Sequence, residues 1–285
     1  MSRSTDVIRE GVRRLQAAGV EQARSDVEWL LSRLIGATPT ELYLQERTLT
    51  EQAVARFWSQ IQARAGGTPL QYLLGETEFF GQRFAVGPGV FIPRPETEIV
   101  VEAALGALRE HAARLARPLR LLDLGTGSGC IAVTLARALA ACVVVGVEVS
   151  WTALSIAKKN VHRHGLEDRV HLVCGWWCDS IRGSFDGILS NPPYVPSAQV
   201  DRLPRDVRQE PRISLDGGED GMRVLFQLIT KIPRLLAPGG VLAFECGEEH
   251  ANKLARTVAA RGWANTVTLL HDLTGRPRGV LIRSC

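Results

Sequence analysis

The run Asp123-Leu124-Gly125-Thr126-Gly127-Ser128-Gly129 follows a short apolar stretch and leads into a helical one. Glycines at such a junction let the backbone turn tightly and approach a ligand, while the next helix presents free N–H groups. Glu148 stands near the end of the following apolar run, CVVVGVEV, where a carboxylate can accept both hydroxyls of a ribose. Together these features point to a cofactor that contains adenosine. A dinucleotide fingerprint would read GxGxxG, but here the glycines run GxGxG and position 130 is Cys. A third motif, Asn191-Pro192-Pro193-Tyr194, closes the apolar run GILS. Two successive prolines fix their backbone angles and lack N–H groups, so the Pro192 carbonyl is held in one orientation. With the Asn191 side-chain oxygen it forms a pair of acceptors for a single NH2 group, and Tyr194 adds an aromatic face. That arrangement suits a planar nitrogen nucleophile, either a carboxamide or an exocyclic amine of a base. The motif itself holds no His, Asp or Glu to act as a general base. Rate enhancement would then come from orientation and electrostatics.

The elements that must carry these motifs are legible in the hydrophobic pattern. Residues 1 to about 72 read as helices: Val7, Ile8, Val12 and Leu15 share one face and stop at Gly19. Ser25 with Glu28, and Thr48 with Glu51, are spaced as capping boxes for two more helices. Aromatic and β-branched residues around Gly81-Gln82 predict a hairpin, and Pro93-Arg94-Pro95-Glu96 starts a helix running to about Ala116. From Leu119 the chain alternates short apolar runs with amphipathic helices, including one from Ser128 to Leu139 and one from Met222 to Leu236. This alternation predicts a mostly parallel sheet covered on both faces. Trp263–Leu270 and Gly279–Ile282 read as two further strands.

Of the 285 residues, 45% are apolar and 22% charged, and the net charge of +4 comes from scattered arginines. The pattern shows no polyanion-binding tail and leaves docking to a ribonucleoprotein or an acidic partner open. The six cysteines are dispersed without a CxxC pair, so free thiols in a reducing compartment are expected, and no metal site. The polar N-terminus lacks the apolar core of a signal peptide, and no run approaches the ~18 apolar residues of a membrane span. A cytoplasmic monomer with no membrane partner and no direct nucleic-acid substrate is expected. An enzyme acting on the bases of a nucleic acid should carry a target-recognition domain or a dense basic face, and neither is present in the sequence.

The motifs resemble a known family. The GxGxG spacing resembles the S-adenosylmethionine loop, and NPPY after such a loop is typical of amino-group methyltransferases acting on DNA adenine, rRNA guanine or protein glutamine. PLQYLLGETEFFGQRFAVGPGVFIPRPETE (Pro69 to Glu98), LLDLGTGSGCIA, SNPPYV, EPRISLDGGEDG (Glu210 to Gly221) and DLTGRPRGV resemble the release-factor glutamine N5-methyltransferases, the PrmC/HemK family. The RPETE form favours that branch over the ribosomal-protein methyltransferases. The resemblance implies a class I S-adenosylmethionine-dependent methyltransferase, α/β and Rossmann-like, at residues 93–285. It also implies an N-terminal helical substrate-docking domain at 1–73 and a hairpin connector at 74–92. Gly125, Thr126, Gly127, Ser128, Gly129 and Glu148 would hold the cofactor, with Trp177 beside the adenine and Asn191 nearby. Asn191 and the Pro192 carbonyl would receive the glutamine amide of a Gly-Gly-Gln tripeptide in peptide-chain release factors, and Pro193 and Tyr194 would shape its slot. The product would be S-adenosylhomocysteine. Arg94, Glu96 and Glu98 match the family's connector without an assigned step. One departure stands out: Trp176 occupies the place of an Asp that commonly contacts the adenine. Asp179 or a backbone carbonyl is left to supply that acceptor.

Overall fold

The structure, a computed structural model, describes residues 2–285, and Met1 lies outside the described residues. Two units are present: one runs to Glu76 and takes in Pro204–Gln209, the other comprises Thr77–Leu203 and Glu210–Cys285.

The N-terminal unit is a bundle of α1 (Ser4–Ala17), α2 (Ala23–Ile35), a single turn α3 (Glu41–Leu44), α4 (Glu51–Ala65) and α5 (Leu70–Leu74). Val7, Ile8 and Leu15 of α1 meet Val27, Leu30 and Leu31 of α2 and Phe57 and Ile61 of α4 in one core. The expected capping boxes are displaced. Helix α2 begins before Ser25, with Gln22 at its N-cap. Helix α4 is capped by Thr50, whose side chain accepts from the Ala53 N–H, while Thr48 belongs to β2 (Thr48–Leu49), paired with β1 (Ser2–Arg3). Inside the bundle Arg64 donates to the nearly buried Asp26 at 2.7 Å, and its other arm reaches Asp206 at 3.2 Å.

The larger unit opens on a hairpin, β3 (Glu76–Phe79) and β4 (Gln82–Ala85). Phe80 and Gly81 both have positive φ, 54° and 67°, so the two-residue turn is Phe80-Gly81, not Gly81-Gln82. Glu98 accepts the Phe80 N–H at 2.7 Å and anchors that turn to α6 (Pro95–Ala112).

Seven strands form the central sheet in the order β12-β13-β11-β8-β5-β6-β7. They are β5 (Leu119–Leu124), β6 (Cys142–Glu148), β7 (Val170–Cys174), β8 (Phe185–Ser190), β11 (Leu236–Glu245), β12 (Ala264–His271) and β13 (Pro277–Ser284). The strands from β11 through β7 are parallel; β13 pairs antiparallel with β11, and β12 pairs antiparallel with β13 at the edge. Successive residues Leu121 and Leu122 of β5 feed two different cores, as the strand's two-residue period requires. One core is covered by α6, α7 (Cys130–Ala138) and α8 (Trp151–Arg163), the other by α10 (Arg223–Lys231) and α11 (Glu248–Ala260). The helix expected from Met222 to Leu236 ends at Lys231, and a 3-10 turn holding Pro233 follows it. Between β8 and α10, a short strand β9 (Val195–Pro196) precedes α9 (Ser197–Val200) and pairs in parallel with β10 (Asp216–Gly218). No helix is long and apolar enough to cross a membrane among the described residues.

Candidate active site

The chain leaves β5 for β6 and β7 on one side, then crosses to β8 on the other. A crevice opens at the carboxyl ends of the strands where the order reverses, and ligands bind there in open α/β sheets. The loops after β5 and β8, which carry the two motifs, both emerge at this point. Ser190 ties them together, its hydroxyl donating to the Leu124 carbonyl at 2.6 Å.

The glycine loop is held from below. Gly125 and Thr126 donate their N–H groups to the Val147 carbonyl at 2.9 and 3.0 Å. Asp123, fully buried, accepts from the Thr126 hydroxyl at 2.5 Å and the Ala132 N–H at 3.1 Å. Burial pushes its carboxyl up to about 7. The Thr126 hydroxyl is thereby spent inside the loop. Gly125 has φ of +73°, and a Cβ there would come within 3.0 Å of the Trp177 ring, so only glycine leaves that approach open. Asn160 on α8 was not singled out in the sequence, yet it stitches this region. Its Nδ2 donates to the carbonyls of Ser128 at 2.8 Å and Ala85 at 3.0 Å, and its Oδ1 accepts the Ala85 N–H at 2.7 Å. A buried Asn inside a helix had no local signal to mark it.

One cavity gathers most of the residues singled out in the sequence. Gly125, Thr126, Gly127, Ser128, Glu148, Trp177, Asn191 and Pro193 line it, whereas Gly129 sits behind it as the N-cap of α7. Each Glu148 oxygen already accepts one backbone N–H, from Gly127 at 3.0 Å and Ser150 at 2.9 Å. A carboxylate has about four lone-pair sites, so acceptor capacity remains for two hydroxyls. Trp177 has the unusual φ of 49°, and its buried indole N–H has no hydrogen-bond partner among the described residues. Trp176 stands at the rim, 46% exposed, with its ring edge-on to Trp177. Asp179 does not line the cavity, and its side chain is ion-paired with Lys231.

Pro192 and Tyr194 are not part of the cavity wall. Tyr194 donates its hydroxyl to Glu245 at 2.9 Å, and Asn191 donates Nδ2 to the Thr97 hydroxyl at 3.1 Å. Burial and the Glu245 charge raise the Tyr194 phenol far above its usual range, so it remains a donor. Gly217 lies against this segment, where a Cβ would stand 2.8 Å from both the Pro193 carbonyl oxygen and the Tyr194 Cα. The backbone of the DGG stretch therefore braces the NPPY turn directly. Further walls come from Phe91, Pro93 and Thr97 before and within α6, and from Pro211, Ile213 and Ser214. Arg94 forms an ion pair with Glu210 beneath them.

Residues 6–75 match the PrmC N-terminal domain, and residues 96–206 match the methyltransferase small domain. The release factor glutamine methyltransferase of Moorella thermoacetica is 41% identical over 271 residues, 94% of this chain and 94% of its own. That of Deinococcus radiodurans is 37% identical over 279 residues, 98% of this chain and 97% of its own. Among solved structures, a methyltransferase from Pyrococcus furiosus shares the fold with a TM-score of 0.52 and 21% identity, over 82% of this chain and 98% of its own. The hMettl16 catalytic domain does so with a TM-score of 0.56 and 17% identity, over 84% of each chain. Those two likenesses concern the fold alone. The sequence relatives extend over both units and across the site just described, and the chain belongs to the release factor glutamine methyltransferases.

Proposed function

We propose that this protein transfers a methyl group from S-adenosylmethionine to the N5 side-chain amide of the glutamine in the Gly-Gly-Gln motif of peptide-chain release factors. The observation that carries this reading is the single cavity at the reversal of strand order. There a glycine loop and a carboxylate stand beside an Asn-Pro-Pro turn. The residues fit the cofactor on three counts. Gly125 leaves open the space a side chain would fill, Glu148 keeps acceptor capacity for a ribose, and the Trp177 indole N–H has no partner among the described residues. When bound, S-adenosylmethionine supplies a methyl group on a sulfonium and is left as S-adenosylhomocysteine.

The chain's own work is to hold the acceptor nitrogen. An amide nitrogen is a weak nucleophile because its lone pair is shared with the carbonyl. Asn191 Oδ1 and the Pro192 carbonyl accept its two N–H bonds and aim the nitrogen into the cavity; as the N–C bond forms and the methyl–sulfur bond breaks, one of these two protons is released to solvent. Holding a reacting atom in this way can supply several kcal/mol of the barrier, about 7 or more in favourable cases. The N-terminal bundle serves as the docking surface for the release factor. Incubation with methyl-labelled S-adenosylmethionine, followed by mass spectrometry, should place one methyl group on that glutamine. The rate should be higher on whole release factor than on a short Gly-Gly-Gln peptide. Label on nucleic acid, or none on either protein substrate, would overturn the reading.

Glu148→Ala tests the cofactor side separately. Charge-assisted bonds to the ribose should be worth roughly 1.5–3 kcal/mol of binding. Part of any loss would come from freeing the Gly127 N–H that Glu148 now accepts. Unchanged S-adenosylmethionine affinity by calorimetry would remove Glu148 from the ribose site.

A further inference from the structure

We propose that Thr97 and Glu245 are positioning residues that decide which end of the Asn191 carboxamide faces the substrate. They do so through a hydrogen-bond chain in which Glu245 is the terminal acceptor. This deepens the glutamine-methylation reading and rests on it for its catalytic consequence.

The chain follows from the register of the sheet. Phe244 of β11 lies opposite Ser190 of β8, which brings Glu245, the last residue of β11, beside Asn191, the first residue after β8. Thr97, in the first turn of α6, stands between their side chains. Both Thr97 and Glu245 are 2% exposed. A hydroxyl has one proton to give. Thr97 gives it to Glu245 Oε2, so toward Asn191 it can only accept, and Asn191 turns Nδ2 to it at 3.1 Å. Oδ1 is then the end of the amide not committed to Thr97, which is the end an incoming N–H requires. Tyr194 donates to the other Glu245 oxygen at 2.9 Å.

The direction of the chain depends on Glu245 carrying no proton on Oε2. Were that oxygen protonated, it could donate to Thr97, whose own proton would turn to Asn191 and call for Oδ1. The amide would then present its NH2 to the substrate's NH2, donor against donor. Glu245 is poised near this point, because burial pushes its carboxyl up to about 7. Glu96 in the same turn of α6 raises it, and Arg278 on β13 lowers it. The Tyr194 hydroxyl, the neighbouring Cys246 thiol and, from α11, His250 complete the ionisable surroundings. His250 packs edge-on to the Tyr194 ring with Nε2 3.0 Å from the Asp220 carbonyl oxygen.

The test uses the full chain. Thr97→Val keeps the shape without the hydroxyl and should lower kcat on the order of 10–100-fold with S-adenosylmethionine affinity within about twofold, and Thr97→Ser should restore most of it. In an Asn191→Ala background the same Thr97→Val change should have almost no further effect, because its route of action is gone. In protein labelled with nitrogen-15 asparagine, the Asn191 side-chain resonances should titrate between about pH 5.5 and 8.5 and stop doing so in Glu245→Gln. That readout involves no substrate, so it decides the inference even if glutamine is not the methyl acceptor. Full activity in Thr97→Val, additive losses in the double variant, or Asn191 resonances that ignore both pH and Thr97→Val would each overturn it.

Discussion

Replacing Asn191 with alanine should lower kcat on the order of 10²–10³-fold, the loss seen when one preorganised polar contact to the reacting group is removed. Cofactor affinity should stay within a few fold, because the glycine loop and Glu148 hold that side of the cavity without help from Asn191. Alanine removes the Oδ1 acceptor and leaves Thr97 without the Nδ2 it now accepts. Asn191→Asp is the sharper variant. It keeps an acceptor toward the substrate but turns a second carboxylate oxygen toward Thr97, whose proton is already given to Glu245. Acceptor would face acceptor, and a new negative charge would lie close to a buried one. Asn191→Asp should therefore be nearly as inactive as Asn191→Ala, although it preserves shape. Single-turnover transfer from labelled cofactor measures the rate, and calorimetry the affinity. Wild-type turnover in either variant would end the acceptor-pair mechanism.

What the sequence disclosed follows from how local the physics is. The glycine loop and the NPPY turn were legible because Gly and Pro act on their own backbone angles, whatever surrounds them. The buried strands were legible because a run such as LRLLDLG can be satisfied only inside a sheet covered on both faces. Helix starts were less so. Ser25 and Glu28 have capping-box spacing, but the helix gains the extra residues from Ala23 onward, and Asp26 is fixed inside it by Arg64. Thr48 lost its expected capping place to a strand pairing with the chain's beginning, opposite Arg3.

Partnerships between distant residues left no mark in the sequence. Thr97 and Glu245 are 148 positions apart and meet through the register of β11 on β8. Neither has a spacing to read, and nothing local to Tyr194 signals that its hydroxyl meets Glu245. Asp179 shows the converse. It stood close enough in sequence to be offered an adenine contact, but its side chain turns to Lys231. Two of the connector's unassigned residues also gain partners this way, Glu98 on the hairpin turn and Arg94 on Glu210.

Glu210→Ala should cost about 3 kcal/mol of stability as a broken, largely buried ion pair. The Glu210 side chain is 1% exposed and Arg94 is 30% exposed. Its Oε2 also accepts the Ile92 N–H at 2.9 Å, and that donor would be left buried without an acceptor. For a unit of this size the melting temperature should fall roughly 6–12 °C. The consequence for activity follows from what Glu210 joins. Phe91 and Pro93 flank Ile92 on one side of the clamp, and Pro211, Ile213 and Ser214 follow Glu210 on the other, and all five line the cavity. Arg94 further packs its guanidinium over the Phe91 ring, 5.0 Å from the centroid, so losing the anion frees that wall as well. Below its melting temperature the variant should therefore show a raised KM for the protein substrate, with S-adenosylmethionine affinity much less affected. Glu210→Gln separates the two bonds, since it can still accept the Ile92 N–H but offers Arg94 no charge. It should lose about half as much stability as alanine. Thermal unfolding of the three proteins side by side decides the matter. An alanine variant that melts within about 2 °C of wild type would mean that Glu210 does not clamp these segments.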